Sequence, residues 1–282
     1  MSVRQLFSGG LVVNRDHSLN NGRVMWMLCV PGRTQGTTWR DMMAGMAGTL
    51  NGTLTGSPPA TGFRGDLGRP GGSGRAWLGD GSAGFVKTPS FGFNYDSMTI
   101  AVWVYPLTVS TRAVIIDLAA ATTNIPVLES DGFGVAGAID INVNGSTPAS
   151  TQAVLVANAW QRIVYVKNGA TGSNNGHFFY LNGQAVAFNT NTAVTYTNTA
   201  TAKNIGQRGD NVRRWNGYLD SVSLSSRPWS AAEVGLDYQL ERQGLPGVLL
   251  RGSRTWFLNS GAAPSFNAGW ATGATKIVSG AF

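Results

Sequence analysis

Two carboxylates held about 5 Å apart can hydrolyse a glycosidic bond with retention, one as acid/base and one as nucleophile. The chain has one place where such a pair could begin. Glu129-Ser130-Asp131 puts two acids on the same face of an extended segment. The pattern stops there, because Gly132, Phe133 and Gly134 follow where an acid/base partner would have to stand. The chain has only three glutamates, and the other two, Glu233 and Glu241, fall in a helical stretch. Glycosidase chemistry of this type is not expected, and the chain reads as non-enzymatic. Histidine chemistry is equally thin: His17 and His177 are the only two, which rules out a His-rich metal centre and leaves little scope for a Ser-His-Asp triad. Gly132-Phe133-Gly134-Val135-Ala136-Gly137 matches the dinucleotide fingerprint in letters. That motif requires a preceding strand and a following helix, and this stretch is expected to have neither.

Recognition chemistry is better represented. Sugar faces stack on indoles with polar groups alongside. Trp215, flanked by Arg213, Arg214 and Asn216 and close to Asp210, is the candidate glycan-binding set, against the alternative that Trp215 caps the core. Trp103 and Trp160 fall in strands and are expected to be buried. Arg208, Arg213 and Arg214 form the densest basic cluster, interrupted by Asp210, and the other basic residues are scattered. Sequence-specific nucleic-acid binding would show a basic stripe with interleaved aromatics, so it is not expected. A basic face meeting an acidic protein surface is the alternative to plain surface solubility. Arg-Gly-Asp at Arg64–Asp66 and Arg208–Asp210, and the acceptor-like Asn51-Gly52-Thr53 and Asn144-Gly145-Ser146, are expected by chance in a Gly-rich chain.

These groups need a scaffold, and the turn chemistry says which. Asn-Gly recurs seven times, at Asn21, Asn51, Asn144, Asn168, Asn175, Asn182 and Asn216, and it supplies the positive φ that two-residue hairpin turns require. Between these lie strand-like runs: Ser97 to Tyr105, with Met98, Ile100, Val102 and Val104 on one face, then Trp160 to Lys167, His177 to Leu181, Gln184 to Phe188, and Tyr218 to Leu224. Such spacing predicts an antiparallel sandwich. One helix is predicted, opened by the capping box Ser230-Ala231-Ala232-Glu233, running to about Arg242 and stopped by Gly244 and Pro246. It is expected to bury Val234 and Tyr238 with help from Leu240. A second, Gly-weakened helical possibility spans Trp39 to Ala47.

Composition agrees with a β protein: charged residues are 12%, hydrophobic residues 43%, and there are nine Trp in 282 residues. Net charge is +7. Cys29 is the lone cysteine and sits in the apolar run Val24 to Val30, where it reads as a buried small hydrophobe. That run is too short to span a bilayer and lacks the flanks of a signal peptide, so neither membrane insertion nor export by that route is expected. From Pro246 to Phe282 there is no acidic residue, and Leu249, Leu250, Trp256, Phe257, Phe266 and Trp270 make an apolar tail expected to pack on the sandwich or a neighbouring subunit.

From about residue 22 to 243 the order of elements resembles the laminin-G-like, concanavalin A-type superfamily. The resemblance rests on Arg23 to Cys29, Thr38-Trp39-Arg40-Asp41, Ala76-Trp77-Leu78-Gly79-Asp80-Gly81, the Met98 to Tyr105 strand, Trp160-Gln161-Arg162, Phe179-Tyr180-Leu181-Asn182-Gly183, Asn204-Ile205-Gly206 and Trp215 to Asp220. It implies an all-β, antiparallel jelly-roll β-sandwich with one short C-terminal helix and extended terminal arms, divided as arm 1–21, sandwich 22–244 and docking tail 245–282. It also implies one structural calcium ion at the sandwich rim, with Asp80, Asp117, Asp210 and Asp220 as candidate ligands. Leu249-Leu250-Arg251 and the ending from Asn267 to Phe282 are similar to tails on laminin-G-type structural proteins of tailed bacteriophages. That likeness implies a virion structural or decoration protein, assembled in the host cytoplasm as a homo-oligomer such as a trimer. Its partners would be capsid or tail proteins, and glycans through the sandwich. The alternative is a free carbohydrate-binding lectin.

Overall fold

Alternating apolar runs between tight turns bury one face each, and two sheets must then close on one another. The computed structural model describes residues 11–14, 16–30, 34–35, 38–43, 51–55, 62–65, 67–82, 84–92, 94–119, 125–131, 134–169, 175–210, 212–245 and 249–251. Along the chain the strands are β1 (Leu11–Val13), β2 (Arg23–Met27), β3 (Thr34–Gln35), β4 (Thr38–Arg40), β5 (Asn51–Thr55), β6 (Gly62–Arg64) and β7 (Ala76–Asp80). Then come β8 (Phe85–Lys87), β9 (Ser97–Pro106), β10 (Ala113–Asp117), β11 (Val127–Ser130), β12 (Ile139–Val143) and β13 (Ser146–Thr151). The remainder are β14 (Gln161–Asn168), β15 (His177–Leu181), β16 (Gln184–Ala185), β17 (Phe188–Asn191), β18 (Asn204–Ile205), β19 (Asn216–Ser225), helix α1 (Ala231–Arg242) and β20 (Leu249–Arg251).

The chain divides into two compact units, Gly22–Gly244 and a unit drawn from both ends, Met1–Asn21 with Leu245–Phe282. The first is an antiparallel sandwich. One sheet runs β16-β15-β14-β9-β19-β7-β6, with β2 alongside the second half of β19. The other runs β17-β13-β12-β11-β10-β18-β8-β5-β4-β3. Met98, Ile100, Val102 and Val104 of β9 point inward as predicted, into one core with Ile116, Leu128 and Ile141 of the facing sheet. Hairpins form where two-residue Asn-Gly turns were expected: Asn144-Gly145 joins β12 to β13 and Asn182-Gly183 joins β15 to β16, all four residues at positive φ. In the second unit β1 pairs antiparallel with β20, Leu11 opposite Arg251 and Val13 opposite Leu249. This puts Leu249 and Leu250 in a strand, whereas Trp256, Phe257, Phe266 and Trp270 lie outside the described residues.

Several expectations are corrected. Trp39 belongs to β4 and Asp41 bridges to Met27, so no helix starts there, and residues 44–47 lie outside the described set. Gln184 to Phe188 is not one strand: β16 stops at Ala185, and Phe188 opens β17 in the other sheet. Trp160 precedes β14 and is half-buried, while Trp103 is buried. The Gly-rich 132–137 stretch does follow a strand, β11, but leads into strand β12 instead of a helix.

Helix α1 begins with the predicted capping box, the Ser230 hydroxyl accepting from the Glu233 amide and the Glu233 carboxylate from the Ser230 amide. Its inward face agrees with expectation at Val234 and differs elsewhere: Asp237 and Glu241 are buried beside it, while Tyr238 and Leu240 are half-buried. Three arginines from three separate segments meet the two helix acids and Asp220 of β19. Arg162 reaches Asp237 at 2.8 Å, Arg69 reaches Asp220 at 2.8 Å and Glu241 at 2.6 Å, and Arg23 lies 3.6 Å from Asp237. All six side chains have at most 1% of their surface exposed. Burial pushes the Asp220 and Asp237 carboxyls up. At Glu241 burial has the same sense, but Arg69 and Arg162 outweigh it and hold the carboxyl below its ordinary range. Such a cluster is tolerable only because positive and negative charges match in number.

Candidate functional site

The segment from Gly206 to Asn216, where β18 gives way to β19, carries the arginine cluster. Its course is set by backbone bonds: Gly206 N–H donates to Ile115 O (3.0 Å), Trp215 N–H to Gly206 O (2.8 Å), and Val114 N–H to Arg213 O (2.8 Å). Gly206 has φ +85°, and a Cβ there would fall 2.2 Å from the Trp77 ring, so only glycine fits. Asp117 clamps the loop from β10, accepting from Gly209 N–H at 2.7 Å and from Ala119 N–H at 2.7 Å.

Consecutive residues of this segment go different ways. Arg213 turns to Glu129, 3.3 Å away, which also pairs with Arg112. Arg214 instead lines a cleft of about 180 Å³ with Asp80, Ser82, Thr108, Thr111 and Asn216, over Ala113 and Trp215. Arg214 Nε donates to Gln207 Oε1 at 3.0 Å, and beyond that bond its guanidinium has no protein partner among the described residues. Asp80 stands opposite Asn216 in the β7–β19 ladder and accepts from the Ser82 amide (2.9 Å) and hydroxyl (2.8 Å).

The structure thus brings together Arg214, Asn216 and Asp80, and places Arg213 and Asp210 elsewhere. Asp210 pairs with Arg208 at 3.6 Å. Trp215 is 1% exposed and belongs to the core, so its indole presents no face to a sugar. The aromatic surface comes from its alternating neighbours. Residues 215, 217 and 219 point inward, so Asn216 and Tyr218 share the outer face, about 7 Å apart along the strand. Tyr218 meets Tyr105, its partner on β9, with centroids 5.8 Å apart, and Trp160 lies 5.6 Å from Tyr105 and 6.5 Å from Tyr218. All three rings are partly exposed. Period-2 alternation counted from Trp215 was the signal that could have found Tyr218; Trp160 had none.

The acids of the other sequence candidates are engaged by the protein itself. Asp220 accepts from the Cys29 amide (2.8 Å), the Ser221 amide (2.7 Å) and Arg69. Asp80, Asp117 and Asp220 therefore each serve local donors, and among the described residues no group of three or more His, Cys, Asp or Glu converges. Asp140 lies directly opposite Glu129 on β12, a cross-strand acid pair that the linear Glu129-Ser130-Asp131 pattern did not reveal. Each glutamate is ion-paired: Glu129 with Arg112 and Arg213, Glu233 with Arg227, and Glu241 with Arg69 and Arg162.

No curated protein sequence matches the chain. Among solved structures, the receptor-binding domain of botulinum neurotoxin type G superposes with a TM-score of 0.53 at 13% identity, over 78% of this chain and 52% of that one. The binding domain of botulinum neurotoxin DC, in complex with SialylT, gives 0.52 at 12% identity over 79% and 52%. Trypanosoma rangeli sialidase gives 0.50 at 12% over 78% and 33%. At these identities the likeness is one of fold, and the chain spans about half the length of the neurotoxin domains. Residues 80–235 match the family profile described as the concanavalin A-like lectin/glucanases superfamily. With more than half its length matched, and with the two antiparallel sheets of that fold, the chain belongs to the concanavalin A-like lectin/glucanases superfamily.

Proposed function

We propose that the chain is a non-catalytic glycan-binding protein whose sandwich holds sugar at the rim, between the Asp80–Arg214–Asn216 cleft and the Tyr105–Trp160–Tyr218 aromatics. The observation that carries this reading is the juxtaposition itself. Partly exposed rings stand one strand step from Asn216, an arrangement suited to stacking a pyranose face while donors and acceptors take its hydroxyls. Sandwiches of this fold include a neurotoxin binding domain solved in complex with SialylT. The non-catalytic part is supported by the glutamates. Glu129, the one that could start an acidic pair, is buried and its carboxylate is taken up by Arg112 and Arg213 instead of facing a substrate. The test is a glycan array with the full chain and with Trp160→Ala and Tyr218→Ala. Selective binding that both substitutions weaken supports the site, and binding that neither alters refutes it.

A display role is the second part of the reading, favoured by one observation: both chain ends join, through β1 and β20, in a unit separate from the sandwich. A unit of that kind suits docking, and its finer form is a homo-oligomeric decoration protein on a virion capsid or tail. Light scattering on the full chain and on a chain ending at Gly244 tests it. An oligomer that the shortened chain cannot form supports docking through the ends, and an oligomer that survives the truncation refutes it.

A further inference from the structure

Four arginines surround the rim loop, and three of them are ion-paired within the protein. Arg112 and Arg213 share Glu129, and Arg208 has Asp210. Arg214 is the exception. Its Nε is fixed by the buried Gln207 at 3.0 Å, which orients the guanidinium plane, and its two Nη groups have no acceptor among the described residues. Asn216 and Thr111 likewise line the cleft with side-chain polar atoms that no described residue engages. The acid present, Asp80, forms no ion pair with Arg214 and accepts two bonds from Ser82 in its own turn. An arginine held by one nitrogen with its remaining edge free is a pre-set fork for a planar anion with two equivalent oxygens.

We infer that the cleft takes a carboxylate-bearing sugar, its carboxylate on the Arg214 fork and its hydroxyls on Asn216 and Asp80. This rests on the glycan-binding reading above and names its substrate class: acidic sugars of the uronic or sialic type. The volume of about 180 Å³ suits one monosaccharide and no more, so the rest of a chain would run out across Tyr218 and Tyr105.

The experiment is isothermal titration of the full chain with uronate- and sialate-terminated oligosaccharides, each beside its methyl ester, and with sulfated oligosaccharides. Esterification removes the charge and keeps the sugar. The expected result is binding of the acids at least tenfold tighter than of the esters, the scale of a charge-assisted bidentate contact. Arg214→Met should erase that difference, Arg214→Lys should keep part of it, and Asn216→Asp should weaken the acids by adding a like charge. If Arg214→Met does not fold, the acid-against-ester comparison on the unaltered chain decides. Equal binding of acid and ester, or binding of sulfated sugars alone, overturns the carboxylate assignment and leaves glycan binding standing. Binding of no sugar in the panel, charged or neutral, overturns both.

Discussion

Arg162 is the residue whose loss should damage the sandwich most for a single charge removed. It is fully buried, lies 2.8 Å from Asp237 and 3.5 Å from Glu241, and donates to the Ser221 carbonyl at 2.9 Å. Arg162→Met keeps most of the volume but leaves three acids facing two arginines in a site closed to water. Breaking a buried pair from one side costs about 3–5 kcal/mol, because the abandoned charge stays desolvated. Against a domain stability of roughly 5–15 kcal/mol, that is a large share. With a urea m-value near ~3 kcal/mol/M, the midpoint should fall by roughly 1–2 M. The assay is urea unfolding of the full chain followed by tryptophan fluorescence. Adding Asp237→Asn to Arg162→Met should recover part of the loss, since charge balance returns, and the double-mutant cycle isolates that coupling. A cost below about 1 kcal/mol for Arg162→Met, or strict additivity in the cycle, would refute the view that α1 is fastened by balanced buried charge.

Two further expectations follow from single sites. The buried His177 ring lies with Nδ1 2.8 Å from the Tyr165 hydroxyl and Nε2 3.5 Å from Lys167 Nζ, and burial, helped by the Lys167 charge, pushes its pKa down from 6.5 to about 4. Between those values the unfolded chain binds a proton that the folded chain refuses, so stability should drop as pH falls from 6.5 towards 4. His177→Phe should flatten the urea midpoint against pH in that window, and an unchanged slope counts against the assignment. Gly206→Ala puts a Cβ 2.2 Å from Trp77 at φ +85°. It should cost about 2–5 kcal/mol from strain and overpacking together, and a thermal unfolding curve matching the parent's would refute the steric argument.

What the sequence revealed and what it concealed divide along physical lines. The Asn144 and Asn182 hairpins, the inward face of β9 and the capping box at Ser230 depend on neighbours within a few residues, and each was legible. The α1 interior was not. Nothing local marks Asp237 and Glu241 as buried, because Arg162, which donates to both, lies 75 to 79 positions away on β14, and Arg23 and Arg69 lie further off on other segments. At the rim, the loop carrying Arg214 and Asn216 was found by its composition. The inward turn of Trp215 depends on which face of β19 meets the core, and the acceptor on Arg213 comes from another strand. Trp160 was assigned to the interior because it opens a strand-like run, whereas the strand starts one residue later.

The buried Arg23–Asp237 pair has a mechanical meaning. The chain comes into the sandwich through β2 and leaves it through α1, and this pair ties the first residue of β2 to the middle of that helix. β2 is laid antiparallel against β19, with Met27 opposite Val222 and Arg23 opposite Ser225. Tension applied between Gly22 and Gly244, the two ends of the sandwich unit, would therefore act first on these two elements, pulling β2 along its ladder in shear and loading the ion pair with it. Rupture under force depends on the height of the unfolding barrier. A sandwich clamped at the points where the chain enters and leaves is one whose rim stays folded while its ends are pulled.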